Sequence, residues 1–454
     1  MIEPRSHVEP ACVAPPGSRP VFRTMTLGCK VNQYETQFVR EGLELAGFRE
    51  AAEGETADLC VVNTCTVTAE GDAKSRQTIR QLAARNPGTR IVVMGCYATR
   101  APDEVARLPG VAEVVRDKRE LPDLLGRFGV VDLPTGISRF DCRKRAYVKV
   151  QDGCLLRCSF CIIPHVRPKL ASRPAQEIVA EVRRLVANGY REVILTGIHL
   201  GHYGVDFNAG RPKADWLRLS HLLSQLVGLD GSFRIRLSSI EATEVTRELI
   251  DVMAAHPTRI CPHLHVSLQS GSDRILRSMR RRWGSQRFVD RCQLVKEKLE
   301  QAAFTTDVII GFPGETEADF DETCRVVEQV GFCKLHAFPF SPRRGTPAAD
   351  MPRQVPKHVK QERARRLAEL EARLARRYGE SLLGRRLQVM VESPLAGQPG
   401  WAYGTSCRSM QVALPATPRC FGTFRDVVPV RFVAGRLEAA GDRDDESRDD
   451  ETAV

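Results

Sequence analysis

The chain has 454 residues, of which 42% are hydrophobic and 27% charged, as expected for a folded protein with more than one core. No apolar run approaches the roughly 20 residues needed to cross a bilayer, and the first residues lack the apolar stretch of a signal peptide. We therefore expect a cytoplasmic protein with no membrane partner. The net charge of +11 suits a polyanionic partner, and fifteen dispersed cysteines favour metal or cofactor ligation over disulfides.

The first half of the chain alternates short apolar strands with amphipathic helices. Residues 1–20 are Pro-rich and are expected to be disordered. Over residues 21–130, the strands VFRTMTLG, DLCVVNTC and IVVMGCYA alternate with helices, the first of them predicted from Glu35, which indicates a parallel α/β domain. Residues 131–144 are interpreted as a linker.

A second series of strand and helix segments covers residues 145–375. Repeated units of this length predict an open or closed barrel whose strand carboxyl ends carry the chemistry. A basic amphipathic helix follows Pro356, and short strand-like segments separated by Gly and Pro predict a small all-β module over residues 376–440. Residues 441–454 form an acidic tail that is expected to be disordered.

The most informative stretch is VQDGCLLRCSFCIIP, in which Cys154, Cys158 and Cys161 have CxxxCxxC spacing. We call them the loop trio. Three thiolates on one tight loop can hold three irons of a 4Fe-4S cube and leave the fourth iron open to another ligand. A structural zinc site is the alternative, but such sites usually use paired CxxC knuckles, and no second knuckle occurs here.

Three further cysteines, Cys29, Cys65 and Cys96, each follow a predicted strand of the first domain. We call them the amino-terminal trio. Neighbouring parallel strands would bring their carboxyl ends together despite the long gaps in sequence. A cysteine in such a place is more often an inert small hydrophobe, which is our interpretation of Cys60, within the strand DLCVVN. Because the loop trio is on the same chain, we predict that the amino-terminal trio also binds metal.

The cysteine loop, with the strand RAYVKV before it, closely resembles that of the radical S-adenosylmethionine (SAM) superfamily. Together with the amino-terminal trio and the terminal β module, it makes the chain similar to the methylthiotransferases from Val21 to about Ala440. Four motifs are similar to those of the MtaB-type branch of that family: TLGCKVNQYET, NTCTVT, KSRQ and GCYA. The resemblance implies an N-terminal parallel α/β domain, a central radical SAM partial (β/α) TIM-like barrel and a C-terminal TRAM β-barrel.

The same resemblance implies the activity and the cofactors. The MtaB-type branch adds a methylthio group to the adenine C2 carbon of N6-threonylcarbamoyladenosine, just 3' of certain tRNA anticodons. By resemblance, the loop trio would hold the 4Fe-4S cluster that binds and cleaves SAM, and the amino-terminal trio an auxiliary 4Fe-4S cluster that carries sulfur. Two SAM molecules would be used, one to methylate the sulfur and one to generate the radical.

Candidate SAM-contacting residues lie in the loop and at the strand ends behind it. Small residues there would let backbone approach the SAM amino group, and polar ones would contact ribose, carboxylate and adenine, although such residues often only terminate strands. The candidates are Phe160, Thr196, Gly197, Ser239, Glu241, Gln269, Ser270, Asp307 and Ile309. His165, His199 and His202 lie nearby in sequence and are assigned no role.

The implied partners are the tRNA anticodon stem-loop, a one-electron reductant such as flavodoxin or ferredoxin, and a sulfur donor. A TRAM module would grip RNA by backbone and shape. Its candidates for stacking or phosphate contacts are Trp401, Tyr403 and Arg408, although half-buried aromatics in a small barrel are more often core. The basic helix before it and the segment LRSMRRRWGSQ could touch RNA or serve only the fold.

Three alternative functions are also compatible with the sequence. With the same chemistry, the substrate could be isopentenyladenosine in tRNA. It could also be an aspartate of a ribosomal protein, but the GCKVNQYET motif and the basic charge argue against this second substrate. A catalytically inactive Fe-S RNA-binding protein is the alternative of another class, although all six cluster cysteines are present. The segment PHVRPKLASRP departs from the family pattern, and Pro168 and Lys169 are expected to alter substrate access rather than chemistry.

Overall fold

A computed structural model describes residues 19–132, 135–140 and 143–440. The termini expected to be disordered lie outside these residues except for Arg19 and Pro20, as do four positions of the expected linker. The chain forms two compact units. The first comprises the described residues up to position 140 with residues 152–170 and 341–349, and the second comprises the remainder. Among the described residues, no helix is both long and apolar enough to span a membrane.

The first unit contains a five-stranded sheet with helices along the chain between its strands. All of its strand pairs are parallel, in the order β2-β1-β3-β4-β5, which confirms the predicted parallel α/β domain. Its elements are β1 (Val21–Thr26), α1 (Lys30–Leu45), β2 (Arg49–Glu50), β3 (Leu59–Thr64), α2 (Ala69–Arg85), β4 (Arg90–Gly95), α3 (Cys96–Arg100), α4 (Pro102–Ala106), β5 (Val111–Val114) and α5 (Leu121–Arg127), with a 3₁₀ turn at Lys118–Glu120.

The sheet is covered on both faces, as alternation along β3 shows. Val61 packs into one apolar cluster and Val62 into another, because successive side chains of a strand point to opposite faces. Cys60 belongs to the second cluster and is fully buried, and this burial raises the pKa of its thiol. Helix α1 begins at Lys30 and not at the expected Glu35, because Cys29, in extended conformation, ends the preceding loop and caps the helix directly.

The second unit is built around six parallel strands that form a partial barrel, as predicted. Strands β6, β8 and β9 pair in one sheet and β10, β11 and β12 in another, and parallel bridges such as Ile240 to Val266 join the two. The elements from β6 to β12, in chain order, are β6 (Arg145–Asp152), α6 (Ile163–Val166, in the first unit), β7 (Ala171–Ser172), α7 (Ala175–Ala187), β8 (Glu192–Gly197), α8 (Leu219–Val227), β9 (Arg234–Leu237), α9 (Arg247–Ala255), β10 (His263–His265), α10 (Asp273–Ser278), α11 (Ser285–Lys298), β11 (Ala303–Ile310), α12 (Glu317–Val330) and β12 (Lys334–Pro339), with 3₁₀ turns at Leu200–His202, Val205–Asn208 and Lys213–Asp215. A further 3₁₀ turn, at Pro347–Ala349, follows β12 and belongs to the first unit.

The C-terminal part of the second unit is a long helix followed by an all-β module, again as predicted. The six strands of the module are mostly antiparallel, in the order β16-β13-β14-β15-β18-β17. The elements are α13 (Lys357–Glu380), β13 (Leu387–Pro394), β14 (Trp401–Ser406), β15 (Gln411–Pro415), β16 (Phe424–Val427), β17 (Pro429–Val433) and β18 (Arg436–Ala439), with a 3₁₀ turn at Pro418–Cys420. Helix α13 carries ion pairs such as Arg366 with Asp321 (2.7 Å) and Arg373 with Glu328 (3.0 Å), which favours a structural role for its basic face.

A buried carboxylate holds the β module to the amino-terminal ends of the barrel strands. Glu192, fully buried at the start of β8, accepts hydrogen bonds from Arg234 Nε (2.6 Å) and Arg236 Nε (2.9 Å) on β9. The remaining guanidinium nitrogens donate to module carbonyl oxygens: Arg234 to Gln388 (2.8 Å) and Thr405 (2.9 Å), and Arg236 to Ser406 (2.9 Å). The module is therefore fixed at the end of the barrel opposite the strand ends expected to carry the chemistry.

We predict that Glu192→Gln destabilises the second unit by about 3–5 kcal/mol, because it leaves two buried guanidinium groups without their carboxylate. Burial alone would raise the pKa of Glu192, but Arg236, Arg234 and Arg145 hold it well below its ordinary value of 4.5. The stabilisation is then present above pH 4.5 and is lost as the pH falls below it. Urea denaturation followed by tryptophan fluorescence measures it, since the three tryptophans of the chain, Trp216, Trp283 and Trp401, all lie in this unit.

Glu392→Gln is the matched control. Glu392 pairs with Arg145 from the module side, but its side chain is 29% exposed, so its loss should cost at most about 1 kcal/mol. An equal loss in the free energy of unfolding for the two variants at pH 7 would show that Glu192 does not hold the module in place.

Candidate functional site

The amino-terminal trio lies at one edge of the first unit's sheet. Cys29 follows β1 and caps α1, Cys65 follows β3, and Cys96 follows β4 as the first residue of α3. These three strands are adjacent, and the chain order reverses between β1 and β3. In parallel α/β sheets this is the place, outside the strand carboxyl ends, where ligands bind.

The side chains of the trio are close neighbours. A Cβ atom built on Gly28 would lie 3.2 Å from Cys65 Sγ, so the Cys65 thiol rests against the backbone next to Cys29. Desolvation raises the pKa of Cys65, and the nearby Cys96 and Cys29 raise it further. Lys118 Nζ lies 3.5 Å from Cys96 Sγ. Three thiols and a cation thus share one small region.

Cys29 is the most exposed residue of the trio, but its thiol is surrounded by other groups, several of them charged. Loss of hydration raises its pKa, whereas the positive charge of Arg167 acts in the opposite direction. Its place at the amino end of the 16-residue helix α1 also favours negative charge, through the helix dipole. This environment therefore stabilises the negative charge that the amino-terminal trio carries when its thiols are deprotonated.

Two asparagines fix the backbone on which the trio is placed. Asn32 Nδ2 donates to the carbonyl oxygens of Leu27 (2.8 Å) and Thr64 (3.0 Å), and Asn63 Nδ2 donates to the Asn32 carbonyl oxygen (2.8 Å). These bonds tie the end of β1 to the end of β3. Sequence analysis did not single out either asparagine, although both lie within the quoted cysteine motifs.

The loop trio belongs to the same compact unit as the amino-terminal trio. Cys158 is buried, and Cys154 and Cys161 are half-buried. The loop closes on itself, since the Cys154 N–H donates to the Arg167 carbonyl oxygen (3.2 Å) and the Cys161 N–H to the Cys158 carbonyl oxygen (3.1 Å). Helix α6, which follows Cys161, contacts α3, which begins with Cys96.

A buried guanidinium connects the two cysteine groups. Arg167 donates to both carboxylate oxygens of Glu35 in α1 (2.8 and 2.9 Å), to Asn32 Oδ1 (3.1 Å) and to Asp152 (2.8 Å), which precedes the cysteine loop. Such fork-to-fork pairing fixes orientation as well as distance. Arg167 lies in the segment PHVRPK that departs from the family pattern, and sequence analysis assigned it no role.

A distant segment, residues 341–349, makes a second connection. Arg343 donates to Thr66 and Asp72, close to Cys65, and the Ala348 N–H donates to the Ser159 carbonyl oxygen (2.8 Å) in the cysteine loop. All these residues belong to the first unit. No local pattern in the sequence predicts this connection, because it joins positions more than 180 residues apart.

The candidate SAM-contacting residues divide between the units. Phe160 lies in the first unit, and the other eight lie in the second, on or just after strands of the barrel. Thr196 and Ser270 are buried, whereas Ser239 is exposed just after β9. Ser270 Oγ is already hydrogen-bonded to Thr323 Oγ1 (3.3 Å) and to the Ser272 N–H (3.2 Å), which favours a structural role for it.

Two of the acidic candidates are paired with neighbouring side chains. Glu241 accepts hydrogen bonds from Arg281 and from Trp283 Nε1 (3.1 Å), so the segment LRSMRRRWGSQ is used here within the fold. Asp307 lies 3.1 Å from His265 Nε2. Both carboxylates are thereby oriented at the barrel rather than free to rotate.

Strands β10 to β12 have one fully packed face and one accessible face. On β11, Val308 and Ile310 are buried, whereas Asp307 and Ile309 alternate with them on the accessible face. His336 of β12 pairs with Asp307 in register, and Phe338 beyond it is 53% exposed. The accessible face is therefore mainly polar, with one aromatic surface.

The RNA-contact candidates of the β module differ in their surroundings. Arg408 donates to the carbonyl oxygens of Gln301 and Glu300 (3.1 Å each), so its guanidinium serves the joint with the barrel. Tyr403 is half-buried and accepts from Arg436 Nη1 (3.1 Å), and Trp401 is half-buried. These contacts favour a structural role within the fold, rather than RNA contact, for Arg408 and Tyr403.

Two family models match the chain. Residues 148–327 match the radical SAM superfamily, and residues 22–116 match a family described as uncharacterized protein family UPF0004. The solved structure of the radical SAM methyltransferase TsrM from Kitasatospora setae, with tryptophan and a SAM analogue bound, superimposes with a TM-score of 0.53, 14% identity, and coverage of 73% of this chain and 75% of that one. At this identity the likeness shows the fold alone.

Curated relatives match most of the chain. The threonylcarbamoyladenosine tRNA methylthiotransferase MtaB of Bacillus subtilis is 41% identical over 385 residues, which is 81% of this chain and 84% of that protein. MtaB of Thermotoga maritima is 37% identical over 82% of this chain and 86% of its own length, and the tRNA-2-methylthio-N(6)-dimethylallyladenosine synthase of Corynebacterium diphtheriae is 38% identical over 82% and 76%. The chain therefore belongs to the radical SAM methylthiotransferase family, in its MtaB-type branch, as its cysteine motifs predicted.

Proposed function

We propose that this enzyme adds a methylthio group to the adenine C2 carbon of N6-threonylcarbamoyladenosine next to the tRNA anticodon. The observation that carries the proposal is the placement of two cysteine trios in one compact unit, joined through Arg167. Three thiols per trio match a 4Fe-4S cluster with one iron open to another ligand, whereas an electron-transfer protein would gain nothing from an open iron. An inactive Fe-S protein would have no need for two such sites in one unit.

The protein supplies thiolates, charge and orientation at this site. When bound, the two clusters and SAM supply the one-electron chemistry and the sulfur that attack on an inert aromatic C–H requires. Arg167 and Lys118 place positive charge beside the amino-terminal trio and offset the charge of its thiolates. The strand-end residues of the barrel, Thr196 and Gly197 among them, would orient SAM.

The polar face of β10 to β12 supports the threonylcarbamoyl substrate over the dimethylallyl one. A threonylcarbamoyl group carries a carboxylate and a hydroxyl, whereas a dimethylallyl group is a small hydrocarbon. His265, Asp307 and His336 can offer hydrogen bonds to the former, whereas the latter has no polar group to receive them and would only displace water from these side chains. Relatives named for either substrate match this chain at similar identity, 41% and 38%, so the choice rests on the MtaB-type motifs and on this chemistry.

A basic groove in the second unit is a suitable contact for the tRNA backbone. The groove has a volume of about 350 Å³ and is lined by Arg143, Lys144, Tyr147 and Glu392, among others. Arg143 stacks over Tyr147, 5.4 Å from the ring centroid, and Lys144 is exposed beside it. We propose that phosphates of the anticodon stem-loop bind here, and that a flavodoxin or ferredoxin and a sulfur donor complete the reaction.

The direct test is mass spectrometry of tRNA nucleosides from cells that lack the gene. We expect the 2-methylthio form of threonylcarbamoyladenosine to disappear and its precursor to accumulate, while dimethylallyladenosine derivatives stay unchanged. A plasmid copy of the wild-type gene should restore the product. Loss of methylthio-dimethylallyladenosine instead would move the assignment to the other tRNA substrate, and unaltered nucleosides would remove the tRNA assignment.

We predict that Cys65→Ala lowers the iron content of the anaerobically reconstituted protein from about eight to about four atoms per chain, since a trio reduced to two thiolates no longer holds its cluster. It should also abolish the modified nucleoside in complemented cells. Iron and sulfide assays with nucleoside analysis measure both effects.

Cys60→Ala is the control, because Cys60 lies within β3, the strand that Cys65 follows, and is buried in the core. It should keep about eight irons, with only a small loss of stability from the missing sulfur. Retention of eight irons by Cys65→Ala would contradict the ligand assignment, as would loss of a cluster from Cys60→Ala in a folded protein.

We predict that Lys144→Ala weakens binding of the anticodon stem-loop several-fold at moderate salt, and reduces the slope of log affinity against log salt by about one. Fluorescence anisotropy over a salt series measures both. Lys298→Ala, at an exposed lysine of α11 far along the chain, should change neither quantity. Identical slopes for the two variants would show that RNA does not contact this groove.

A further inference from the structure

A third group of potential ligands lies in the second unit, outside both cysteine trios. His199 and His202 lie in the loop after β8, and Glu244 lies in the loop after β9. One donor atom from each lies within 4.8 Å of the other two. Because β8 and β9 are paired neighbours, their following loops meet at the carboxyl edge of the barrel.

The local backbone brings the two imidazoles side by side. Residues Leu200–His202 form a 3₁₀ turn capped by His199, and the His202 N–H donates to the His199 carbonyl oxygen (2.9 Å). In a 3₁₀ turn, side chains three residues apart eclipse each other. The rings accordingly stack with centroids 3.6 Å apart and planes 17° from parallel. Gln151 anchors the turn by accepting from the His199 N–H (2.8 Å).

A glycine lets the carboxylate approach this turn. A Cβ atom on Gly201 would lie 2.4 Å from both Cβ and Cγ of Glu244, so any larger residue would displace the glutamate. Glu244 Oε2 lies 3.5 Å from His199 Nε2, and Glu244 Oε1 lies 3.8 Å from His202 Nε2. Both separations exceed the 2.7–3.2 Å of a normal hydrogen bond.

These separations fit three donors around one metal ion once one imidazole rotates out of the stack, because an imidazole nitrogen binds metal in the plane of its own ring. Tetrahedral zinc with ligand bonds near 2.1 Å places its donor atoms roughly 3.4 Å apart. The side chains are only 4%, 13% and 17% exposed for His199, His202 and Glu244. Glu244 Oε2 and His202 Nδ1 are buried without a hydrogen-bond partner among the described residues, and a buried polar atom of this kind calls for an explanation.

We propose that His199, His202 and Glu244 bind one divalent transition-metal ion, with zinc as the best match. Two histidines and one carboxylate are a ligand set that leaves a fourth position for water or an anionic ligand. The ligand set contains no cysteine and shares no residue with either trio. It does not depend on the substrate proposed above.

Zinc binding to the full-length protein with both clusters reconstituted tests the proposal. After anaerobic dialysis against zinc, we expect about one zinc per chain, with a nitrogen and oxygen shell near 2.0 Å in zinc-edge X-ray absorption. Zinc at vacant cluster cysteines would instead show sulfur near 2.3 Å, so the two sources are distinguished. Since the readout is zinc itself, a failure here is distinct from a failure of tRNA modification.

Glu244→Gln and His202→Gln should each weaken zinc affinity by at least about 100-fold, since loss of even an outer-sphere partner costs up to that much. His221→Gln is the matched control, because His221 also lies 3.4 Å from a carboxylate, Glu248, but is exposed and has no second histidine beside it. Two ligand variants are used so that the test still holds if one of them fails to fold. The proposal is overturned if wild-type protein gains no zinc, if its zinc shell is sulfur, or if either folded variant keeps the nitrogen-bound zinc.

Discussion

The candidate iron-sulfur site depends on one buried ion pair, between Arg167 and Glu35. Each side chain is nearly inaccessible, and a buried charge is tolerated only when it is paired and hydrogen-bonded. Arg167 meets this requirement with Glu35 and Asn32 of α1 on one side and with Asp152, which precedes the cysteine loop, on the other. Removing the charge of Glu35 would leave the buried guanidinium of Arg167 without its main partner, and removing Arg167 would do the same to Glu35. The pair therefore fixes where the loop trio lies relative to the helix that Cys29 caps.

The barrel separates attachment from chemistry by using opposite ends of its strands. At the amino ends, Glu192 with Arg234 and Arg236 holds the β module through its backbone carbonyls, a contact that any module sequence could offer. At the carboxyl ends lie the candidate SAM residues and the histidine pair. A change in the module joint can therefore alter stability without touching the residues proposed to contact SAM, which is the usual division in barrels of this kind.

The parallel sheet, the barrel strands and the meeting of the amino-terminal trio at one sheet edge were predictable from the sequence, because they depend on local patterns. Strand alternation and cysteine spacing are visible within windows of ten residues, and strand adjacency then places Cys29, Cys65 and Cys96 at one edge. Contacts between distant segments were not predictable in this way. Arg343 reaches Asp72, and Glu244 reaches His199, only because the tertiary fold brings them together, and nothing near either residue in sequence signals its partner.

Position, rather than thiol acidity, separates the proposed ligand cysteines from those of the core. Burial raises the pKa of Cys261 to about 11 and of Cys292 to about 12, but desolvation also raises the pKa of Cys29 and Cys65. A metal cluster must therefore drive deprotonation itself, as metal binding generally does. What the amino-terminal trio has and the core cysteines lack is convergence at a strand edge with Lys118 and Arg167 beside it. These cations lower the electrostatic free energy of three neighbouring thiolates. Without them, repulsion between the thiolates would oppose cluster binding at this edge.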